Sequence, residues 1–263
     1  MSESQHNQNS PRFQVHLFVT CLADLFRPSI AFNSIALLEE AGCDVTVPMS
    51  QTCCGQPGYN TGDYEATVPL AKRLIETFEI ADYVVAPSGS CAGMITHHYP
   101  KLLEGQWRDR ALDLAARTFE LTQFLSEIAE LKRPIERLRD IGSVTYHDSC
   151  AGLRELGIQA QPRHLLNTLC SADLIEMQRT DVCCGFGGTF CAKMPELSAN
   201  MASDKLETAK ASGANILAGG DLGCLMSLAG RAKREGIELE VRHIAELLAG
   251  DLATPAIGES SQS

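Results

Sequence analysis

The sequence predicts an α/β protein made of two tandem halves, and three observations support this. The cysteine pattern occurs twice, with equivalent positions 129 to 133 residues apart. The segments that precede the cysteines repeat as well, and in both halves short apolar stretches alternate with amphipathic ones. The equivalent positions are Cys21 and Cys150, Cys53-Cys54-Gly55 and Cys183-Cys184-Gly185, and Cys91 and Cys224. Duplication with strand–helix alternation predicts two Rossmann-like parallel α/β halves related by pseudo-twofold symmetry.

In the first half, each predicted strand leads toward a cysteine. A strand at 13–20 ends before Cys21, and the next helix begins near Pro28, a residue suited to the first helical turn, and closes at Gly42. The predicted elements, in order, are strand 13–20, helix 28–40, strand 44–48, helix 63–79, strand 82–86 and a strand–helix unit near 118–130. Residues 97–117 have no counterpart in the second half and are interpreted as an insertion.

The second half repeats this order. Its predicted elements are strand 143–148, helix 162–170, strand 173–177, helix 195–211, strand 215–218, helix 225–235, strand 237–242 and helix 243–249. We expect two cysteine-rich repeats, 12–131 and 142–252, joined near 132–142. The polar ends, 1–11 and 254–263, lack aliphatic periodicity and are expected to be flexible.

Composition narrows the class of function. The 263-residue chain has a net charge of −11, which disfavours nucleic acid and anionic lipid as partners. It has no signal peptide and no integral membrane segment, so we expect a cytoplasmic protein. Its eleven cysteines are an odd number without an export signal, which favours metal ligation or thiol chemistry over disulfides.

The repeated cysteines follow predicted strands, and ligands of open α/β sheets lie beyond the carboxyl ends of the strands. Converging thiolates are soft ligands that select iron–sulfur clusters or zinc. The glycine after each cysteine pair allows a turn that directs both thiols to one site. The sequence therefore predicts a metal centre in each half, with these candidate ligands: Cys21, Cys53, Cys54, Cys91, Cys150, Cys183, Cys184 and Cys224.

Alternatives remain at this point. Four thiolates per half also suit structural zinc, although paired Cys-x-x-Cys motifs are absent, and a thiol-exchange site is a further reading. His147, three residues before Cys150, is a candidate accessory ligand or proton donor, or a structural histidine at a strand end. Cys43, Cys170 and Cys191 are expected to be buried apolar residues. An alternative for Cys191, which lies seven residues after Cys184, is a spare ligand in the second half.

Several linked motifs resemble the cysteine-rich CCG-domain family, whose members usually carry two copies of Cys, Cys-Cys-Gly and Cys-x-x-Cys. The resemblance covers essentially the whole body of the chain, and the flanking motifs are similar to those of the lactate-utilisation branch. The segments that carry it are Phe18-Val19-Thr20-Cys21-Leu22-Ala23-Asp24-Leu25-Phe26-Arg27-Pro28, Gln51-Thr52-Cys53-Cys54-Gly55-Gln56-Pro57, Pro87-Ser88-Gly89-Ser90-Cys91, Tyr146-His147-Asp148-Ser149-Cys150 and Cys183-Cys184-Gly185-Phe186-Gly187-Gly188.

One departure concerns the last motif, where Ser88 and Asp221 occupy the position of the first cysteine of Cys-x-x-Cys. The fused five-cysteine cluster of heterodisulfide reductase, a family member, is therefore not expected. The resemblance implies an ordinary [4Fe–4S] cluster, one or two per chain, or a variant in which Ser88 or Asp221 supplies an oxygen ligand.

The resemblance further implies an iron–sulfur electron-transfer subunit of a cytoplasmic system that oxidises L-lactate to pyruvate. It would be an oxidoreductase subunit that is not active alone and works with two partners, an iron–sulfur protein and a third subunit. Two other readings stay open: a zinc-stabilised interaction module, and a thiol/disulfide redox subunit like that of heterodisulfide reductase.

Overall fold

A computed structural model describes residues 13–259; the predicted flexible segment 1–11 and the last residues of the predicted tail, 260–263, lie outside this range. The strands are β1 (Gln14–Leu17), β2 (Asp44–Thr46), β3 (Tyr83–Ala86), β4 (Thr118–Glu120), β5 (Arg139–His147), β6 (Cys170–Leu174), β7 (Ile216–Gly219) and β8 (Glu240–His243).

The α-helices are α1 (Cys21–Phe26), α2 (Ser29–Glu40), α3 (Gln56–Thr61), α4 (Tyr64–Phe78), α5 (Gly89–Gly93), α6 (Tyr99–Leu102), α7 (Gln106–Ala116), α8 (Leu121–Gln123), α9 (Cys150–Arg154), α10 (Ala160–Leu169), α11 (Phe190–Lys193), α12 (Pro195–Ala211), α13 (Leu222–Glu235) and α14 (Ile244–Ala249). Met94–His98 and Phe124–Ile128 form π-helical turns, and Ile135–Arg137 forms a 3₁₀ turn.

The predicted fold class is confirmed. The strands form two four-stranded sheets with the orders β2-β1-β3-β4 and β6-β5-β7-β8, and every strand pair is parallel. Because the two orders are equivalent, the two tandem halves have the same topology, and the strand order reverses beside β1 and beside β5. The carboxyl ends of all strands in a sheet meet at one edge, which is where this kind of sheet holds ligands.

Some predicted boundaries were wrong. Strand β6 begins at Cys170 and ends at Leu174, so it lies three residues earlier than the predicted 173–177. Helix α13 begins at Leu222, three residues before the predicted start, which places Cys224 in its first turn. Residues 97–117 fold as α6 and α7 together with part of a π-helical turn.

One apolar core crosses the boundary between the halves. It contains Val15 and Leu37 of the first half together with Leu165, Leu225 and Leu247 of the second, all fully buried. A second cluster, which includes Phe18, Leu74 and Phe78, lies within the first half. Burial of one continuous apolar surface fixes how the halves sit against each other.

Part of the C-terminal segment packs on the second sheet. The amide of Ile257 donates to the carbonyl of Val241 at 2.8 Å, and the guanidinium of Arg242 donates to the carbonyl of Thr254 at 2.8 Å. Ala256 is buried. Residues 254–259 therefore have defined backbone and side-chain contacts.

Within residues 13–259, no helix has both the length and the apolar character that a bilayer span requires.

Candidate metal centre

The four repeated cysteines of the first half meet at the carboxyl edge of their sheet. Cys21 is the first residue of α1, and Cys91 lies in α5, directly after β3. The Cys21 and Cys53 Sγ atoms are 3.6 Å apart, and those of Cys54 and Cys91 are 3.5 Å apart. The Cys53 thiol also interacts with the neighbouring Cys54 thiol. One chain of contacts thus joins all four thiols.

The second half has the same arrangement. Cys150 is the first residue of α9, and Cys224 lies in the first turn of α13. The Cys183 thiol interacts with those of Cys150 and Cys184, and the Cys184 thiol interacts with that of Cys224. The structure thus brings together each of the two sets of four thiols predicted from the repeat.

The glycine of each Cys-Cys-Gly triplet is required by both conformation and space. Gly55 and Gly185 have φ angles of +81° and +82°, which L side chains rarely adopt. A Cβ atom on Gly185 would lie 2.5 Å from the carbonyl oxygen of Ser198. The amides of Gly55 and Gly185 each donate to the preceding Cys53 or Cys183 sulfur at 3.4 Å. The turn therefore places an N–H donor on the sulfur of each pair's first cysteine.

These contacts separate the thiol pKa values. Hydrogen bonds from Cys21, Cys54 and the Gly55 amide lower the pKa of Cys53 to about 2. Donation to Cys53, together with burial, raises the pKa of Cys21. In the second half, hydrogen bonds from Cys150 and Cys184 likewise lower the pKa of Cys183 to about 2. In each half the first cysteine of the pair is thus the thiol whose ionised form, the form that binds metals, is most favoured.

Ser88 and Asp221, the equivalent residues that replace cysteine, contact each other across the two halves. The Ser88 hydroxyl donates to Asp221 Oδ1 at 2.6 Å and accepts from the Cys91 amide. Ser90 donates to the same Oδ1 from its hydroxyl at 2.7 Å and from its amide at 3.1 Å. Asp221 Oδ2 is buried with no hydrogen-bond partner among the described residues. Three donors thus occupy Asp221 Oδ1. The role of Ser88 and Asp221 as oxygen ligands stays a prediction.

The remaining cysteines differ from one another. Cys43 and Cys170 are buried, as expected, each 1% exposed. Cys191 is only partly buried, contrary to expectation, because it lies on the short helix α11 and its thiol donates to the carbonyl of Gly188 at 3.2 Å.

His147 lies against the second set of thiols. A ring nitrogen of His147 and the sulfurs of Cys184 and Cys224 are all within 4.8 Å of one another. Burial, with a further contribution from the positive charge of Lys205, lowers the pKa of His147 to about 3. The ring is therefore neutral at physiological pH, which is the form that ligates metals.

Sequence reasoning missed Tyr99 and Lys205. The Tyr99 hydroxyl, fully buried, donates to the Cys54 carbonyl at 2.7 Å and fixes the first Cys-Cys turn. Lys205 is 1% exposed, and its ammonium donates to the carbonyls of Arg179 and Thr180 at 2.9 and 2.7 Å. Lys205 could have been found from the sequence, because it is a lysine at a core position of the amphipathic helix α12. No sequence signal pointed to Tyr99, because it reaches the Cys-Cys turn from a helix far away in the chain.

The fold and the two thiol sets define a class, a duplicated cysteine-rich α/β protein with four clustered thiols at the carboxyl edge of each sheet. The family model described as "Cysteine-rich domain", CCG, matches the chain twice, at residues 15–96 and 144–229. Each match spans the Cys, Cys-Cys-Gly and final cysteine of one half.

Curated relatives match nearly the whole body of the chain. A lactate utilization protein A from Exiguobacterium sp. (strain ATCC BAA-1283 / AT1b) is 46% identical and covers 89% of this chain and 96% of its own length. Those from Halalkalibacterium halodurans and Shouchella clausii are 44% and 45% identical and cover 89% of this chain. The chain therefore belongs to the cysteine-rich domain family, among the lactate utilization A proteins.

Proposed function

We propose that this protein is an iron–sulfur electron-transfer subunit of a cytoplasmic system that oxidises L-lactate to pyruvate. The observation that carries the proposal is the pair of four-thiol sets in a chain so similar to lactate utilization A proteins. The role in lactate utilisation rests on these relatives, and the iron–sulfur chemistry rests on the thiols.

The residues fit such a centre. Four thiols interact in each half, with sulfur–sulfur distances of 3.6 and 3.5 Å in the first, and the first cysteine of each Cys-Cys pair accepts a backbone N–H. Soft thiolate sets of this kind bind iron–sulfur clusters, and N–H donors to sulfur adjust the reduction potential. Cys21, Cys53, Cys54 and Cys91 would hold one centre, and Cys150, Cys183, Cys184 and Cys224 the other.

A bound cluster, [4Fe–4S] in our proposal, would accept and release single electrons. The chain's own contribution is to hold the thiols in place and to shield them. Cys54 and Cys184 are 2% and 1% exposed, so the inner side of each site is closed to water. Cys53 and Cys183 are partly exposed, which leaves an outer side accessible to partner proteins.

We further propose that the subunit works with an iron–sulfur protein and a third subunit and has no lactate oxidation activity alone. Oxidation of L-lactate to pyruvate releases two electrons and two protons, and a subunit that only passes electrons would leave the substrate and its protons to the partners. The partners would supply the hydroxy-acid site and the electron acceptor.

Purification without oxygen, followed by iron, labile sulfide and zinc analysis, tests the metal centre. We expect iron and sulfide in similar amounts and a brown protein with a paramagnetic signal after reduction. A colourless protein with zinc and no sulfide would instead support a zinc-stabilised interaction module.

Deletion of the gene tests the pathway. We expect the deletion strain to lose growth on L-lactate but not on pyruvate, provided that no other lactate dehydrogenase is present. Normal growth on L-lactate in that background would rule out the assignment. Reduction of a mixed disulfide by the purified complex would favour the heterodisulfide-reductase-like reading.

A further inference from the structure

The two thiol sets differ in one neighbouring residue. His147 and Phe18 are equivalent, since each precedes the first cysteine of its half by three residues. Both side chains are buried, at 1% and 0% exposure. Phe18 packs edge-on against Phe78 with ring centroids 5.7 Å apart, so the first half fills this position with an apolar ring.

His147 has no such apolar role. Both of its ring nitrogens are buried and have no hydrogen-bond partner among the described residues. A buried polar group without a partner is destabilising, a cost that the phenylalanine of the first half avoids. The imidazole therefore needs a partner that residues 13–259 do not provide.

The geometry identifies the direction in which that partner lies. A ring nitrogen of His147 and the sulfurs of Cys184 and Cys224 lie within 4.8 Å of one another. A single metal site can therefore be reached by the imidazole and by two of the four thiols in this set. Imidazole and thiolate together are common ligands of iron and zinc.

We propose that His147 is a nitrogen ligand of the metal centre in the second half, so that the two halves hold chemically different centres. The proposal rests on the proposed metal centres. The first half offers four thiolates and an apolar neighbour, whereas in the second half the imidazole would take the place of one of the four thiolates, because a [4Fe–4S] cluster takes four protein ligands.

This difference gives the two centres different reduction potentials. Replacing anionic sulfur by neutral imidazole nitrogen raises the potential of an iron–sulfur centre. Lys205 adds to the effect, because its buried ammonium lies near the second set, while the equivalent residue of the first half, 131 positions earlier on the matching helix, is Leu74. Electrons would then pass from the first-half centre to the second-half centre.

The test compares three full-length proteins purified without oxygen: the wild type, His147→Phe, which gives the second half the residue of the first, and the reciprocal Phe18→His. Iron and sulfide are measured in each. Electron–nuclear double resonance is recorded on protein labelled with nitrogen-15 histidine, and Mössbauer spectra cover states that have no unpaired spin.

We expect strong nitrogen coupling in the wild type, its loss in His147→Phe, and a lower potential for one of the two centres in that variant. The wild-type isotope experiment stands even if a variant fails to fold. Wild-type protein that contains iron but shows no histidine coupling, with Mössbauer spectra unchanged in His147→Phe, would overturn the ligand and leave the metal centres intact. Protein without metal would overturn both.

Discussion

At the residue scale, eight of the eleven cysteines belong to the thiol sets. Cys170 does not: it lies in the apolar core, where its thiol donates to the carbonyl of Leu247 at 3.3 Å. Cys170 is therefore a control for the general effect of removing a buried thiol.

We expect Cys53→Ser and Cys184→Ser each to lose the iron of its own half, about half of the total, because a hydroxyl is a harder ligand than a thiolate. Iron and sulfide per chain after anaerobic purification measure this. Cys170→Ala should keep its full iron content, and full iron in both serine variants would contradict the ligand assignment.

Gly185 gives a second prediction at this scale. Gly185→Ala should lower the free energy of unfolding by more than about 2 kcal/mol, because positive φ and a clash with the Ser198 carbonyl act together. Gly42→Ala is the matched control, since Gly42 has the same kind of φ, +81°, but nothing within 4 Å of its added Cβ. Denaturant unfolding of both variants measures the difference, and equal losses would show that the close contact has no effect.

At the element scale, equivalent strands of the two halves end in different N-cap residues. Glu120 ends β4, and its Oε2 accepts from the amide and hydroxyl of Thr122 and from the amide of Gln123. His243 ends β8 and caps α14 through a capping box with Glu246. Glu120 Oε1 is buried with no hydrogen-bond partner among the described residues.

Burial raises the pKa of Glu120 to about 7 from 4.5. The folded state then binds a proton that the unfolded state has lost, so stability is lost as pH rises from about 4.5 to 7. Glu120→Gln keeps an acceptor for Thr122 and removes the charge, and at pH 8 it should be more stable than the wild type by up to about 3 kcal/mol.

Chemical unfolding at pH 5 and pH 8 measures this effect. The gain should be present at pH 8 and small at pH 5. The exposed carboxylate of Glu136 provides a control, since Glu136→Gln should change stability little at either pH. Equal effects of Glu120→Gln at both pH values would contradict the prediction.

At the scale of the whole molecule, buried polar contacts add to the shared core in holding the halves together. Arg27 of the first half binds Glu246 of the second through two hydrogen bonds of 2.7 and 3.1 Å, and it also donates to the carbonyl of Pro255 at 2.6 Å. Ser29 donates to the same carboxylate at 2.7 Å. Glu246 is fully buried.

Arg27→Ala should destabilise the protein by about 3–5 kcal/mol, because it leaves the Glu246 carboxylate buried without its cation. Arg110→Ala is the matched control: Arg110 makes two hydrogen bonds of 3.0 and 2.9 Å to Glu79, but at the surface. Its loss should cost about 1 kcal/mol or less. The unfolding midpoints of the two variants measure their losses of stability. Similar losses would contradict a role for Arg27 in linking the halves.

The sequence by itself determined the duplication, the parallel α/β class and the eight repeated cysteines. It could do so because strand and helix periods are local, and because a repeated spacing places equivalent residues at equivalent strand ends. Element boundaries were less well determined: β6 begins at Cys170 rather than at 173, since alternation along the chain does not fix which residues find a pairing partner.

Only the tertiary structure decided how the two halves combine. The contact between Ser88 and Asp221, the hydroxyl of Tyr99 on the Cys54 carbonyl, and the position of His147 beside the second thiol set all join residues far apart in the sequence. Such contacts depend on how the sheets and helices pack, and no local pattern encodes that packing. The spacing of the cysteines thus predicted two matched sites, and only the packing showed which other side chains lie beside each of them.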